Sequence, residues 1–200
     1  MSDKATKIKY NISQWDQYKL NYWAIPKCAN TAIKASLANI KHIPKHTHSK
    51  LKWVHNPNKV NYISQEVALQ NGYLNFSVVK HPYERFISLY KDQGLRRPAF
   101  KDVNLTVDKF LELMISSNKI NTDPHFRPMS TFLVANERLL IDKILNIKDA
   151  SSFLNQYNLS LNVVNKTKDL DIKLTKKQKE KIYNIYKDDF KYLGFTKWKH

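Results

Sequence analysis

Pro26, Lys27, Thr31 and Lys34 stand in one short stretch, Tyr22-Trp23-Ala24-Ile25-Pro26-Lys27-Cys28-Ala29-Asn30-Thr31-Ala32-Ile33-Lys34, whose residue types suit an anion. Lysine supplies charge, threonine supplies a hydroxyl donor, and a polar loop entering a helix offers backbone N–H groups that lack intrahelical partners. A second stretch, Phe76-Ser77-Val78-Val79-Lys80-His81-Pro82-Tyr83-Glu84-Arg85-Phe86-Ile87-Ser88-Leu89-Tyr90, sets Lys80, Arg85 and Ser88 around another helix start. Histidine suits the role of base near neutral pH, and His46, His48, His55, His81 and His125 are the candidates, with His42 and His200 less well placed. Together these residues can hold a phosphate-bearing group and move a proton beside it. The first stretch lacks the G-x-x-x-x-G-K-[ST] pattern of nucleotide-binding loops. An ordinary helix start with solvated lysines is the plain alternative reading of the same residues.

The elements that must position them follow from the hydrophobic pattern. Residues 22–25 have the bulk of a buried strand stopped by Pro26, and a helix opens at Thr31 with Ile33, Leu37 and Ile40 on one face. Residues 42–61 form a surface excursion, 62–69 a short helix, and 74–79 the next buried strand after the turn at Asn71-Gly72. Pro82 starts a helix with Tyr83, Phe86, Ile87 and Tyr90 inward and Arg85, Ser88 and Asp92 on the polar side. Beyond it the pattern predicts a basic loop over 94–101, a helix over 107–116 and an irregular segment over 118–128. A strand over 139–144, a helix over 150–157, a polar loop over 165–171 and a longer helix over 176–193 complete the chain. Strands alternating with helices predict an α/β fold: three layers, α/β/α, around a mainly parallel sheet, with ligands beyond the C-terminal strand edges.

The 200 residues are 42% hydrophobic and 26% charged, enough for a full core in a single domain over residues 1–200, with no linker and no internal repeat. The net charge of +17 favours anionic partners. Arginine supplies only five of the 34 basic side chains, which argues against a dedicated nucleic-acid surface, because arginine is the better bidentate reader of phosphates and base edges. The lysine excess of residues 166–200 reads as a solvated helix face. The single cysteine, Cys28, excludes an intramolecular disulfide and a clustered cysteine metal site. Paired glycosidase carboxylates, H-E-x-x-H and calcium-loop motifs are absent. The N-terminus lacks the apolar stretch of a secretion signal, and no apolar run is long enough to span a bilayer, so the chain reads as soluble, and as cytoplasmic if it is complete.

The first stretch resembles the phosphosulfate-binding loop of sulfotransferases, above all the carbohydrate-acting group (sulfotransferase family 2) related to the chondroitin, dermatan and heparan sulfate enzymes. Pro26, Lys27 and Thr31 match that family's P-K-x-x-x-T. The resemblance implies that Lys27 approaches the bridging oxygen of 3′-phosphoadenosine 5′-phosphosulfate (PAPS), that the backbone of Cys28, Ala29, Asn30 and Thr31 holds the 5′-phosphate, and that Lys34 fills a frequently basic helix position. The second stretch is similar to the family's V-R-[DE]-P-[FY]-E-R-x-x-S-x-Y segment, which binds the 3′-phosphate. Ser88 carries over as the hydroxyl ligand and Arg85 as the internal arginine. Lys80 stands where the family has its phosphate arginine, keeping the charge without the planar fork, and His81 replaces the usual acid.

A third segment, Asp123-Pro124-His125-Phe126-Arg127-Pro128-Met129, resembles the family's D-x-H-W-x-P, with Phe126 in place of tryptophan. His125 and Arg127 are candidates to orient the acceptor, as is His48. Related uronyl-acting enzymes carry their base histidine between the two phosphate motifs, which singles out His55, with His48 and His125 as runners-up. The similarities extend over about residues 22–195 and imply a P-loop-like sulfotransferase fold. They imply sulfuryl transfer from PAPS, with 3′-phosphoadenosine 5′-phosphate (PAP) as product and no required metal, to an acceptor hydroxyl, most naturally on a carbohydrate or glycan. A phosphotransferase on a related scaffold, or an inactive scaffold that binds polyanions, are the competing readings.

Overall fold

The computed structural model describes residues 11–40, 52–56, 59–96, 105–161 and 170–197. The described residues open with a hairpin that the hydrophobic pattern did not announce. Strand β1 (Ile12–Trp15) reverses through a 3₁₀ turn at Asp16–Tyr18 into β2 (Leu20–Trp23), with Lys19 in the left-handed region at φ +51°. So short a connection can join only antiparallel strands, and the register pairs Ile12 with Trp23 and Trp15 with Leu20. Helix α1 (Asn30–Leu37) follows.

Residues 62–69, expected as one helix, divide: β3 (Tyr62–Ile63) pairs antiparallel with β1, and Ser64 then caps α2 (Gln65–Gln70) by accepting from the Val67 amide. Strand β4 (Leu74–Val78) lies parallel to β2, with Phe76 beside Tyr22. His81 caps α3 (Pro82–Leu89), which runs into a π-helical turn over Tyr90–Gly94. Helix α4 (Val107–Ser116) has the expected bounds, whereas the segment expected to be irregular contains α5 (Lys119–Thr122).

After α6 (Ser130–Leu133), the strand expected over 139–144 resolves into a small hairpin, β5 (Val134–Ala135) with β6 (Arg138–Leu139), and a separate β7 (Lys143–Leu145) parallel to β4. Helix α7 (Ile147–Asn155) is capped by Asn146. The long C-terminal helix is two, α8 (Lys176–Ile185) and α9 (Lys187–Tyr192), broken at Tyr186 (φ −112°, ψ 25°).

The main sheet has the order β3-β1-β2-β4-β7. It is α/β but mixed, which corrects the expectation of a mainly parallel sheet: β2, β4 and β7 run parallel, while β1 and β3 are added through antiparallel pairings set by the short first turn. Leu20, Tyr22, Phe76 and Val78 pack on one face against Ile33 and Leu37 of α1 and Phe153 and Leu154 of α7. Trp23, Val79, Ala68, Phe132 and Leu133 build the core of the other face. A third cluster joins α3, α4, α8 and α9 through Phe86, Phe110, Ile182 and Phe190.

Candidate functional site

Because β2 and β4 are hydrogen-bonded parallel neighbours, the loops leaving their C-terminal ends lie side by side at one sheet edge. The first loop, residues 24–29, is bent by two non-glycine residues in the left-handed region, Lys27 (φ +70°) and Ala29 (φ +59°). Each such residue costs about 1 kcal/mol or more, and alternation of this kind turns successive amides into an anion-binding concavity. No side chain caps α1, so the amides of its first turn have no side-chain acceptor. Within the loop the Ala24 amide donates to the Asn11 carbonyl at 3.1 Å and the Cys28 amide to the Ile25 carbonyl at 3.3 Å. The Cys28 thiol is wholly buried, 3.7 Å from the Met129 sulfur, and burial pushes its pKa up.

Three cationic side chains come together around this loop. Lys27 is mostly shielded and pairs with Asp92 at 2.9 Å. Lys80, at the end of β4, is half-buried; burial draws its ammonium below the usual lysine range, and the Lys27 charge pulls in the same direction. Arg85 lies beneath the loop at 2% exposure. Its Nε donates to the Pro26 carbonyl and its Nη2 to the His125 carbonyl, each at 3.2 Å, and its guanidinium sits 5.7 Å over the Tyr186 ring. Burial raises the Asp189 carboxyl, and the Arg85 charge opposes that rise. The structure thus places Arg85 as a buried brace beneath this loop. Ser88 stands half-buried on the last turn of α3.

His55 reaches the same loop from a distant part of the chain. It closes the 3₁₀ turn Lys52–His55, and its exposed ring sets Nε2 3.2 Å from Thr31 Oγ1. Burial, and then the Lys34 charge, hold its pKa below the ordinary 6.5. Lys34, which the resemblance sets at a frequently basic helix position of the donor site, is buried completely. Its Nζ donates to Asn11 Oδ1 at 2.9 Å and to the Tyr62 hydroxyl at 2.7 Å, and Tyr62 in turn donates to the Val54 carbonyl at 3.3 Å. Lys34 therefore ties α1 to the turn that carries His55, and burial pulls its pKa down to about 7.

The remaining candidates divide. His125 Nδ1 lies 2.9 Å from Asp123 Oδ1, which also accepts the His125 amide, and Arg85 links this segment to the loop at Pro26. Arg127 spends Nε and Nη2 on the Asn121 carbonyl, at 3.1 and 2.8 Å. His81 is taken up by the fold: Nδ1 accepts from the Tyr83 amide at 3.4 Å while Nε2 faces the Thr196 carbonyl at 3.1 Å. His46 and His48 lie outside the described residues. Asp92, Asn11 and Tyr62 escaped the sequence reading as partners of the site, although Asp92 sits four residues beyond Ser88, the spacing that keeps one helix face.

Among the described residues no group of three or more His, Cys, Asp or Glu is placed to hold a metal, and no helix is long and apolar enough to cross a membrane. Searches of curated protein sequences and of solved structures return no match. A family model described as the sulfotransferase family matches residues 10–168, a span that holds both strand-to-helix junctions, the His55 turn and the Asp123–His125 segment. With most of its length matched and its anion loop and cationic side chains gathered at one sheet edge, the chain belongs to the sulfotransferase family.

Proposed function

We propose that the protein transfers a sulfuryl group from PAPS to a hydroxyl of a carbohydrate acceptor. The observation that carries this reading is the convergence on one loop of Lys27, Lys80 and a helix start without a side-chain cap, with His55 against Thr31. These are the features an anion and an incoming hydroxyl need: fixed donors and positive charge on one side and a base on the other.

The residues take the following roles. The amides of Ala29, Asn30 and Thr31 and the Thr31 hydroxyl hold the 5′-phosphate; Lys80 and Ser88 bind the 3′-phosphate. When bound, the donor supplies an activated sulfuryl group whose leaving portion is PAP. The acceptor oxygen forms its bond to sulfur as the bond from sulfur to the phosphate oxygen breaks, and Lys27 neutralises charge gathering on that oxygen. His55 takes the hydroxyl proton at Nε2, for which its depressed pKa keeps the ring neutral at pH 7. His125, whose carbonyl Arg85 ties to the donor loop, and Arg127 border the acceptor.

Incubation of the purified protein with donor labelled in its sulfuryl group and a panel of hydroxyl acceptors, with mass identification of products, tests the reading. A sulfated carbohydrate is the expected outcome. Absence of any sulfated product together with absence of PAP binding by calorimetry overturns it, and polyanion binding indifferent to PAP would identify a binding protein instead.

A further inference from the structure

The ammonium assigned to the leaving group already has a partner. Lys27 Nζ lies 2.9 Å from Asp92 Oδ2, with side-chain exposures of only 16% and 26%. The same oxygen accepts from Gln93 Nε2 at 2.9 Å, and Oδ1 faces Arg96 Nη1 at 3.4 Å. Burial works to raise the Asp92 carboxyl, but Lys27, Gln93 and Arg96 outweigh it and hold the group below its ordinary value. Asp92 is therefore a carboxylate at neutral pH, aimed into an anion site.

The aim is built into the backbone. Asp92 lies in the π-helical turn that continues α3, closed by the bond from the Leu95 amide to the Tyr90 carbonyl at 3.1 Å. Gly94 lets this turn close, because a Cβ there would stand 2.9 Å from Tyr90 Cδ2 and 3.3 Å from Leu105 Cδ2. The Tyr90 hydroxyl donates to the Leu105 carbonyl and pins the ring in place. A π-turn shifts the residues after it off the regular helical phase, and such turns recur at functional sites.

A carboxylate beside an anion site weakens anion binding by repulsion, so its placement there calls for a compensating role. We propose that Asp92 is a positioning residue that holds the Lys27 ammonium in place before the donor arrives and yields it to the donor's phosphate on binding. This rests on the donor reading above. Asp92 and the donor compete for one ammonium: Asp92 fixes Lys27 where the leaving oxygen will be, at the expense of donor affinity.

Asp92→Asn preserves shape and removes charge. Its PAP affinity should rise about three- to tenfold, while kcat falls about 10- to 100-fold as Lys27 loses its anchor. Asp92→Glu should recover part of kcat. In the Lys27→Ala background the gain in PAP affinity should disappear, since the two residues act as a pair. On the unsubstituted protein, carboxyl NMR should show the Asp92 pKa rising when PAP binds, a readout that needs no variant to fold. A purely structural role would instead lower PAP affinity and kcat together with thermal stability. Unchanged kcat and PAP affinity in folded Asp92→Asn, an equal affinity gain without Lys27, or an Asp92 pKa indifferent to PAP would overturn the assignment of Asp92 alone. Failure of the unsubstituted protein to bind PAP would overturn the donor reading with it.

Discussion

Thr31 Oγ1 and His55 Nε2 stand 3.2 Å apart, bringing the one histidine of the 3₁₀ turn Lys52–His55 onto the first turn of α1. A neutral ring can accept the Thr31 hydroxyl proton at Nε2, so the contact itself favours the base form. His55→Ala is expected to lower kcat by about 10²–10⁴-fold with PAP affinity nearly unchanged. The pH profile of kcat should show an acid limb below pH 6.5, where His55 gains its proton and loses base function. A folded His55→Ala enzyme with ordinary kcat across pH, where chemistry limits the rate, would remove His55 from the role. Selective loss in His125→Ala would pass it to the Asp123–His125 pair.

Lys34 gives a prediction in stability. Its folded pKa of about 7 lies below the ordinary 10.5, so between those values the unfolded chain binds more protons and stability rises with pH. Below about pH 7 the full cost of burying the ammonium is present. Lys34→Met should therefore raise Tm more at pH 6 than at pH 9, by about 2–4 °C for each ~1 kcal/mol of difference. The same substitution removes the charge that depresses His55, so the acid limb of kcat should move upward. Equal Tm changes at both pH values, measured by calorimetry, would contradict the buried ammonium.

Lys27→Ala should fold and lose about 10²–10³-fold in kcat/KM. Comparable kcat/KM in matched folded samples would end the leaving-group role.

The second junction should decide whether the nucleotide's 3′-phosphate is recognised. Ser88→Ala is expected to weaken PAP more than its analogue without the 3′-phosphate, and Lys80→Arg to tighten PAP by restoring a planar fork. Calorimetry with both nucleotides checks this, and an unchanged preference in Ser88→Ala would count against the assignment.

Arg85 carries the largest expected stability effect. Its removal leaves the Pro26 and His125 carbonyls without their donor and Asp189 buried without the opposing charge. Arg85→Ala should lose about 3–5 kcal/mol, read from denaturant midpoints, and Arg85→Lys should recover little because one ammonium cannot span both carbonyls. A loss below about 1 kcal/mol, the scale of an exposed pair, would mean the brace is dispensable.

What the sequence displayed was the first strand-to-helix junction, because its signal lies in residue types: Pro26, Lys27 and Thr31 next to a bulky strand and an amphipathic helix. The burial of Lys34 was not legible because it is tertiary. Local periodicity turns Ile33 and Leu37 inward, yet α1 is buried from Ala32 to Leu37, since Tyr62 and the His55 turn cover its other side. Strand β1 was invisible because Ile12, Ser13 and Trp15 are all buried, leaving four residues with no polar alternation to read. The break at Tyr186 left no trace either, because Ile182, Tyr186 and Phe190 keep a helical spacing across it. Asp92 looked like any polar residue on a solvated helix face; it lies within the π-turn, and its pairing with Lys27 is tertiary.

The brace beneath the loop also sets an order in time. Residues 26–31 are made well before the carboxylate that faces the Arg85 guanidinium beneath them, which belongs to α9. At ordinary ribosomal speeds roughly 8 to 30 seconds separate the synthesis of the loop from that of Asp189. Throughout that interval the nascent chain displays the anion-binding sequence without its finished support. If the loop needs this support to bind the proposed nucleotide, protection of arrested nascent chains from protease by PAP should begin only with lengths that include α9.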